Sequence, residues 1–361
     1  MAINEMYLIE WICWRSKLEP NPESPSIVDP SGSLCIRHCT GVDPSDEFAI
    51  YRVNDRFVDL SGAWQEDKRG LITFLFLMMM FVVNGFIFDG AVIAVRGLIS
   101  GTAYSGAPLT QEGYIFYPII ILLWSVANFL VFKHGLRWMR LEIFTQRRIV
   151  IRLNRITRQV HINRPAYAGG IATFPWDATV PEMTGSDPGA RRGDGSLMMM
   201  WMSQGSGAGF DEFCKVGGNL DDRGKAEALW EYIRRYMEEG PDAVPQPKRL
   251  RATFPWPWDS VRSTLSFLLP SWRTGDKGLV LTFALMLSPL LLLHSLCHWI
   301  SLLLCWPTWW PRIIRRAGLP GAPVPALTVV EDYGPEIAQR LQASAMKLAK
   351  PPAAAESASD A

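Results

Sequence analysis

Hydrophobic positions along this chain fall into two regimes. Residues 71–95 and 114–132 are almost continuously apolar. Each run is long enough for a helix to cross the bilayer, since about 20 residues span roughly 30 Å of hydrocarbon. The stretch between them holds Gly97, Gly101, Gly106 and Pro108, which predicts a short loop. Together they predict a transmembrane helical hairpin over residues 67–132. A third run, 279–306, has no Asp, Glu, Lys or Arg and contains Pro289, so residues 278–307 are expected to form a kinked membrane helix or a re-entrant hairpin.

After the second run the pattern shortens. Residues 140–145, 149–153, 159–163, 171–174, 197–202 and 210–216 are short segments rich in β-branched, aromatic and methionine residues, separated by turns, and read as strands. Over 222–239, Ala226, Leu229, Trp230, Ile233 and Met237 recur at helical spacing. Asp221 or Asp222 precedes this helix and Gly240-Pro241 stops it. The expected fold class is an α+β membrane protein with three parts: the hairpin, a small antiparallel β-barrel or sandwich over 133–240 closed by that helix, and the third membrane segment. Residues 1–66 read as an N-terminal cytosolic segment and 241–277 as a Pro-rich linker with an interfacial stretch. Residues 308–361 read as a tail, with one helix near 336–348 and a disordered end.

Charge adds orientation. From Lys133 to Arg164 there are nine Lys/Arg against the single acid Glu142, Lys68 and Arg69 precede the first span, and the loop between the spans has only Arg96. The positive-inside rule then puts both ends of the hairpin, and the soluble domain with them, in the cytosol of a multi-pass bacterial inner-membrane protein. No cleavable signal peptide is read at the amino terminus. A net charge of +1 argues against nucleic acid as a partner, and six scattered cysteines argue against a disulfide scaffold.

Five arginines just after the second span, Arg147, Arg148, Arg152, Arg155 and Arg158, are the candidate sites for anionic lipid headgroups, each basic residue near the leaflet contributing about 1 kcal/mol. The bland reading is that they only enforce topology. Asp89, His294 and His298 are the intramembrane polar candidates. His294, Cys297 and His298 share a helical face, but too few further ligands accompany them for a metal site, and Cys35, His38 and Cys39 lack a second pair at zinc spacing. Met78 to Met80 and Met198 to Met200 suit packing better than copper. No nucleotide-binding, hydrolase or metalloprotease motif is present. Neither an enzyme nor a cofactor is therefore expected.

The segment Phe144-Thr145-Gln146-Arg147-Arg148-Ile149, followed later by Phe174-Pro175-Trp176-Asp177, resembles bacterial membrane-anchored pleckstrin-homology-like domains, which implies a barrel sealed by a C-terminal helix. The chain is also similar to an uncharacterised bacterial inner-membrane family with an Asn-Arg-x-x-Arg-x-Val segment, here starting at Asn154, and a Pro-Trp-Asp, here Pro175, Trp176 and Asp177. Association of that family with type VI secretion cargo implies an accessory or immunity-type role. The expected function is non-enzymatic: a cytosolic module held at the bilayer that binds anionic headgroups or a protein partner, with oligomeric state open. The alternative is a transport or channel component using Asp89, Asn84, His294 and His298.

Overall fold

The structure is a computed structural model and describes residues 12, 14–18, 39–62, 69–275 and 277–348. Strands β1 (Ile50–Val53) and β2 (Phe57–Ser61) come first, followed by helices α1 (Leu71–Ser100) and α2 (Gln111–Met139). Strands β3 (Val150–Asn154), β4 (Gln159–Asn163) and β5 (Ile171–Pro175) complete a five-stranded antiparallel sheet in the order β1-β2-β3-β4-β5. Strands β6 (Val180–Thr184), β7 (Gly195–Trp201) and β8 (Glu212–Leu220) form a second antiparallel sheet, and α3 (Arg223–Glu238) follows. Both sheets and α3 share one core, in which Leu60, Ile151, Val160 and Phe174 meet Leu197, Trp201, Val216, Leu229 and Trp230. Neither sheet closes on itself, so of the expected barrel or sandwich the barrel is not formed, and two open sheets share one core.

Residues 1–66 are not merely a leading segment. Within them β2 pairs with β3 in continuous register, from Phe57 opposite Asn154 to Ser61 opposite Val150. The helical hairpin is thus an insertion between two hydrogen-bonded neighbours, and its two ends emerge side by side. Residues 140–145, expected as a strand, instead carry α2 onward in a turn. Ile143 N donates to Met139 O, and the buried Ile143 side chain packs on Ile72 and Met139.

α1 and α2 are both long and apolar enough to cross a membrane. Their outward residues include Phe81, Phe86, Leu122 and Phe129, all exposed. So large a continuous apolar surface marks a membrane or partner contact rather than a face for water. Between the two helices, glycines permit close approach: a Cβ on Gly97 would lie 2.3 Å from the Tyr117 ring, and one on Gly135 would lie 2.4 Å from Phe76.

The Pro-rich linker leads to α4 (Pro257–Leu265), then α5 (Lys277–Met286) and α6 (Ser288–Leu303). The last two are bent by 72°. Pro289 lies in the first turn of α6, where its ring is tolerated; a helix continuing through it would clash with the carbonyl four residues back. α6 is inverted relative to a soluble helix. Its buried face carries Ser295, His298 and Ser301, whereas Leu290, Leu292 and Leu296 are exposed. Both ends of the bent pair are tied to the sheet unit, the first through the ion pair of Arg273 with Asp221, the second through Trp306 N to Thr145 O at 3.1 Å.

The expected tail holds the helix read near 336–348, and the stretch before it packs on the sheet unit. Residues 306–330 run as a strap across the outer face of the five-stranded sheet. Asn163 Nδ2 donates to Trp309 O at 2.8 Å, Asn154 Nδ2 to Ala317 O at 3.1 Å and Gln159 Nε2 to Pro325 O at 2.8 Å. This is why all five residues of β3 and all five of β4 are buried, including those facing away from the core. Helix α7 (Pro335–Leu348) then packs its Leu341 onto the common core. Residues 349–361, where a disordered end was expected, lie outside the described residues.

Candidate functional site at the base of the hairpin

Three helix ends converge where the hairpin leaves the sheet unit. α1 begins at Leu71 with no residue of its own capping the exposed amides, and the cap arrives from the far end of α2. The buried Glu142 carboxylate accepts from Gly70 N at 2.7 Å, Thr73 N at 2.8 Å and Thr73 Oγ1 at 2.7 Å. A carboxylate suits a helix N-terminus both as acceptor and as a negative charge on the dipole. The hairpin is therefore stapled shut at its base.

Beside it Arg69 is fully buried. Its Nη1 donates to Arg147 O and its Nη2 to Glu142 O, both at 2.7 Å, and Nη2 also reaches Cys305 Sγ at 2.8 Å. Arg147 caps the opposite kind of end. Its Nε donates to Leu302 O and its Nη2 to Cys305 O, each at 3.0 Å, where α6 runs out. Burial draws the Arg147 pKa below its usual range; the Cys305 sulfur opposes this and the Arg69 charge adds to it. The joint thus ties α1, α2, α6 and the start of β3 through buried charges and main-chain carbonyls.

The five candidate arginines do not form one surface. Arg147 lies in the joint, and Arg148 lies beside it at the edge of a cleft. Arg152 is 3% exposed and is paired with Asp59 across β2 and β3, at 2.6 Å (Nε to Oδ1) and 2.7 Å (Nη2 to Oδ2). Its guanidinium lies 3.8 Å from the Phe57 ring centre and 4.9 Å from that of Trp310. A headgroup has no access to it there. Arg155 and Arg158 sit past the other end of β3, about 17 Å along the strand from the joint at roughly 3.3 Å per residue.

At that far end the two short motifs meet. Asn154 Oδ1 accepts from Ile156 N and Thr157 N and so shapes the β3–β4 turn, in which Arg158 has a φ of 50°. Arg158 pairs with Asp177 and with Glu238 of α3, and Trp176 Nε1 donates to the same Glu238 at 2.7 Å. Hydrogen bonds to Asp177 and then Glu238 hold the Arg158 pKa above its ordinary range. The fully buried Trp176 stacks on Trp230 with ring centres 5.6 Å apart. The motif residues accordingly fasten the closing helix to the sheet, a role that rests on partners distant in the chain.

The intramembrane polar candidates separate as well. His298 Nδ1 pairs with Ser260 Oγ at 2.9 Å and His294 Nδ1 with Thr264 Oγ1 at 3.2 Å, so both histidines dock α6 against α4. A Cβ on Gly70 would touch the His298 backbone at 2.4 Å, which puts His298 at the start of α1. Asp89 is exposed and lies about 28 Å further along α1, at 1.5 Å per residue. Asn84 instead pairs with Asn128 and accepts from Trp124 Nε1, all within the hairpin. Cys39 Sγ bonds to Glu231, while Cys13, Cys35 and His38 lie outside the described residues. Among the described residues no three His, Cys, Asp or Glu side chains gather as a metal site. Met199 and Met200 are core residues.

One buried charge cluster escaped sequence reasoning. Glu212 is bound by Arg164 at 2.6 Å and by Lys17, beneath the Trp14 ring. Burial alone would raise its pKa, but the two cations overcome it and hold it at about 2. No single segment signals this cluster, because its members come from distant stretches of chain.

Comparison with curated proteins and with solved structures gives no match. A family model does match, over residues 128–318, from the end of α2 through strands β3 to β8, α3 and the bent helix pair to the first part of the strap, leaving out β1, β2 and α1. It covers more than half of the sequence, and the chain belongs to that family, described as a family of unknown function (DUF6708).

Proposed function

We propose that this chain is an integral protein of the bacterial inner membrane that holds its sheet unit against the cytosolic leaflet and works by binding rather than by catalysis. The observation that carries the reading is the insertion of the apolar hairpin between β2 and β3. Strands that stay hydrogen-bonded on either side of it require both of its ends to lie on one face of any bilayer it enters. The positive-inside bias of the flanks supports the cytosol as that face. The bent α5–α6 pair, tied at both ends to the same unit and turning its leucines outward, supports a re-entrant element on the same side.

The binding reading draws on what the buried charges are used for. Arg69, Glu142, Arg147, Arg152 and Arg158 are all engaged in holding the fold together. A transport reading would need polar groups along one path, whereas Asp89 lies about 28 Å along α1 from the histidine beside its start.

Epitope insertion tests the arrangement. A tag placed at Tyr104, in the loop between α1 and α2, should be reached by antibody on intact spheroplasts, and a tag following Ala361 only after permeabilisation. The protein should also stay in the pellet through alkaline carbonate extraction. Release by carbonate, or labelling of the C-terminal tag on intact spheroplasts, would overturn the proposal.

A further inference from the structure

Beside the joint lies a cleft of about 550 Å³, within the range of roughly 300–1,000 Å³ usual for small-ligand sites. Four arginines from three different segments line it: Arg148 from the joint, Arg249 and Arg251 from the Pro-rich linker, and Arg262 from α4. The linker is held there because Arg251 N donates to Ile50 O at 2.7 Å, running it along the edge of β1. The Arg249 and Arg251 guanidinium groups lie over the Phe48 ring, at 5.5 and 5.6 Å from its centre. Contacts of this kind hold a guanidinium beside the ring, and Arg251 Nη1 also donates to Phe48 O at 3.5 Å.

Two carboxylates also line the cleft, Asp221 and Asp259, and Asp221 is already paired with Arg273. The balance is clearly positive. Asn219, Ser263 and Ser266 add neutral hydrogen-bonding groups. Planar, forked donors around a positive cavity suit a phosphate group.

Arg262 and Leu269 also line a second groove of about 440 Å³, whose other walls are Trp258, Val261 and Leu265. A basic cavity and an apolar groove thus adjoin, sharing Arg262 and Leu269 as walls. Around the pair stand exposed aromatics, with Trp256 stacked on Trp258 at 4.9 Å and Phe254, Phe267 and Trp272 nearby in sequence. Amphipathic rings of this kind favour the level of the headgroups.

We infer that this compound site holds one anionic membrane lipid, its phosphate among Arg148, Arg249, Arg251 and Arg262 and one acyl chain along the Trp258–Val261–Leu265 groove. A soluble phosphate ester would use the first cavity and leave the second empty; a neutral lipid would do the reverse. Only a ligand joining an anionic head to an apolar tail uses both. The inference rests on the membrane placement proposed above, and it keeps only Arg148 of the strip after α2 as a headgroup contact, the other three coming from the linker and α4.

The test uses the full-length protein in mild detergent, with lipid retention read by native mass spectrometry. Dioleoyl phosphatidylglycerol should bind at least about 10-fold more tightly than dioleoyl phosphatidylcholine. The double variant R249Q/R262Q, altered at exposed positions, should lose about 10-fold for phosphatidylglycerol and little for phosphatidylcholine. The pair R315Q/R316Q, also exposed but not lining the cleft, should change neither. Val261→Ser with Leu265→Ser should weaken phosphatidylglycerol while leaving the weaker binding of glycerol phosphate unchanged. Equal binding of the two lipids, or equal loss in R315Q/R316Q, would overturn the site. Glycerol phosphate binding as tightly as the lipid would overturn the lipid assignment and make this a soluble phosphate-ester site. Because the assay is independent of sidedness, it can fail while the carbonate and epitope results stand, and the reverse.

Discussion

The Asp59–Arg152 pair allows a sharp test, because it joins β2 to β3 across the point where the hairpin is inserted. Both side chains are buried, and Arg152 is held between the Phe57 and Trp310 rings. Arg152→Gln strands the Asp59 carboxylate in a site that water does not reach, and Asp59→Asn strands the guanidinium. Removing one partner of a buried pair costs about 3–5 kcal/mol. For a folded unit of this size each kcal/mol moves the melting temperature by about 2–4 °C, so either single variant should melt about 6–20 °C lower. Replacing both with apolar residues, Asp59→Leu with Arg152→Met, should recover most of that loss, since the desolvation of two charges disappears with them. The assay is tryptophan fluorescence on heating in mild detergent, with binding to anionic vesicles measured in parallel. If Arg152→Gln shifted the melt by less than about 2 °C and abolished vesicle binding, Arg152 would be presented to headgroups after all. The covered outer face of the sheet described above would then be wrong.

Three further outcomes follow from the same geometry. Glu142→Ala should cost about 3 kcal/mol and Thr73→Val about 1 kcal/mol, with hydrogen exchange quickened at Gly70 and Thr73 ahead of the rest of α1, because the helix start loses its cap. Exchange confined to the middle of α1 would contradict this. His161 is fully buried, with Nδ1 on Thr173 Oγ1, and burial with the nearby Arg152 charge lowers its pKa to about 3. The unfolded chain therefore binds the extra proton between pH 6.5 and 3, so the neutral-pH stability it supports is lost as pH falls through that window, by up to about 1.4 kcal/mol per unit. Glu212 and Glu231, both held at about 2, contribute losses only below about pH 4.5. Between pH 6.5 and 4.5 His161→Gln should thus flatten the slope, and parallel slopes for variant and parent would refute the assignment. Lastly, Asn84→Leu alone should destabilise the hairpin more than Asn84→Leu with Asn128→Leu, the difference being about 1 kcal/mol or less, since the single change leaves the Asn128 Oδ1 without its donor between apolar helices.

What the sequence disclosed depended on whether the signal was local. Both hairpin helices are legible because each is a long unbroken run. Their ends are less so: α2 continues from Phe132 to Met139 through Lys133, His134 and Arg137, which leave the apolar zone without leaving the helix. α3 was readable from its stripe, since amphipathic spacing needs no distant partner. β1 and β2 were not, because Ile50–Val53 and Phe57–Ser61 are short and meet their neighbours only beyond the hairpin. The strap gave still less away. It is held by the carbonyls of Trp309, Ala317 and Pro325, groups that any residue offers, while the informative side chains, Asn154, Gln159 and Asn163, sit on the strands beneath. The arginine strip failed for a related reason. Composition counts positive charge but says nothing of direction, and the acids that claim Arg152 and Arg158 lie far off in the chain at Asp59 and Glu238.

The seam between β2 and β3 also bears on how the molecule is made. Translation delivers the first two strands well before the third, with both apolar helices made in the interval. On the membrane placement proposed above, the open edge of β2 waits until both helices have entered lipid and the exit of the second brings Val150 back beside Ser61. A ribosome stalled before that point, or a failure to insert, would leave the sheet unfinished with a bare edge for quality-control proteases to recognise. Completion of the sheet would in this way report that the hairpin has reached its destination.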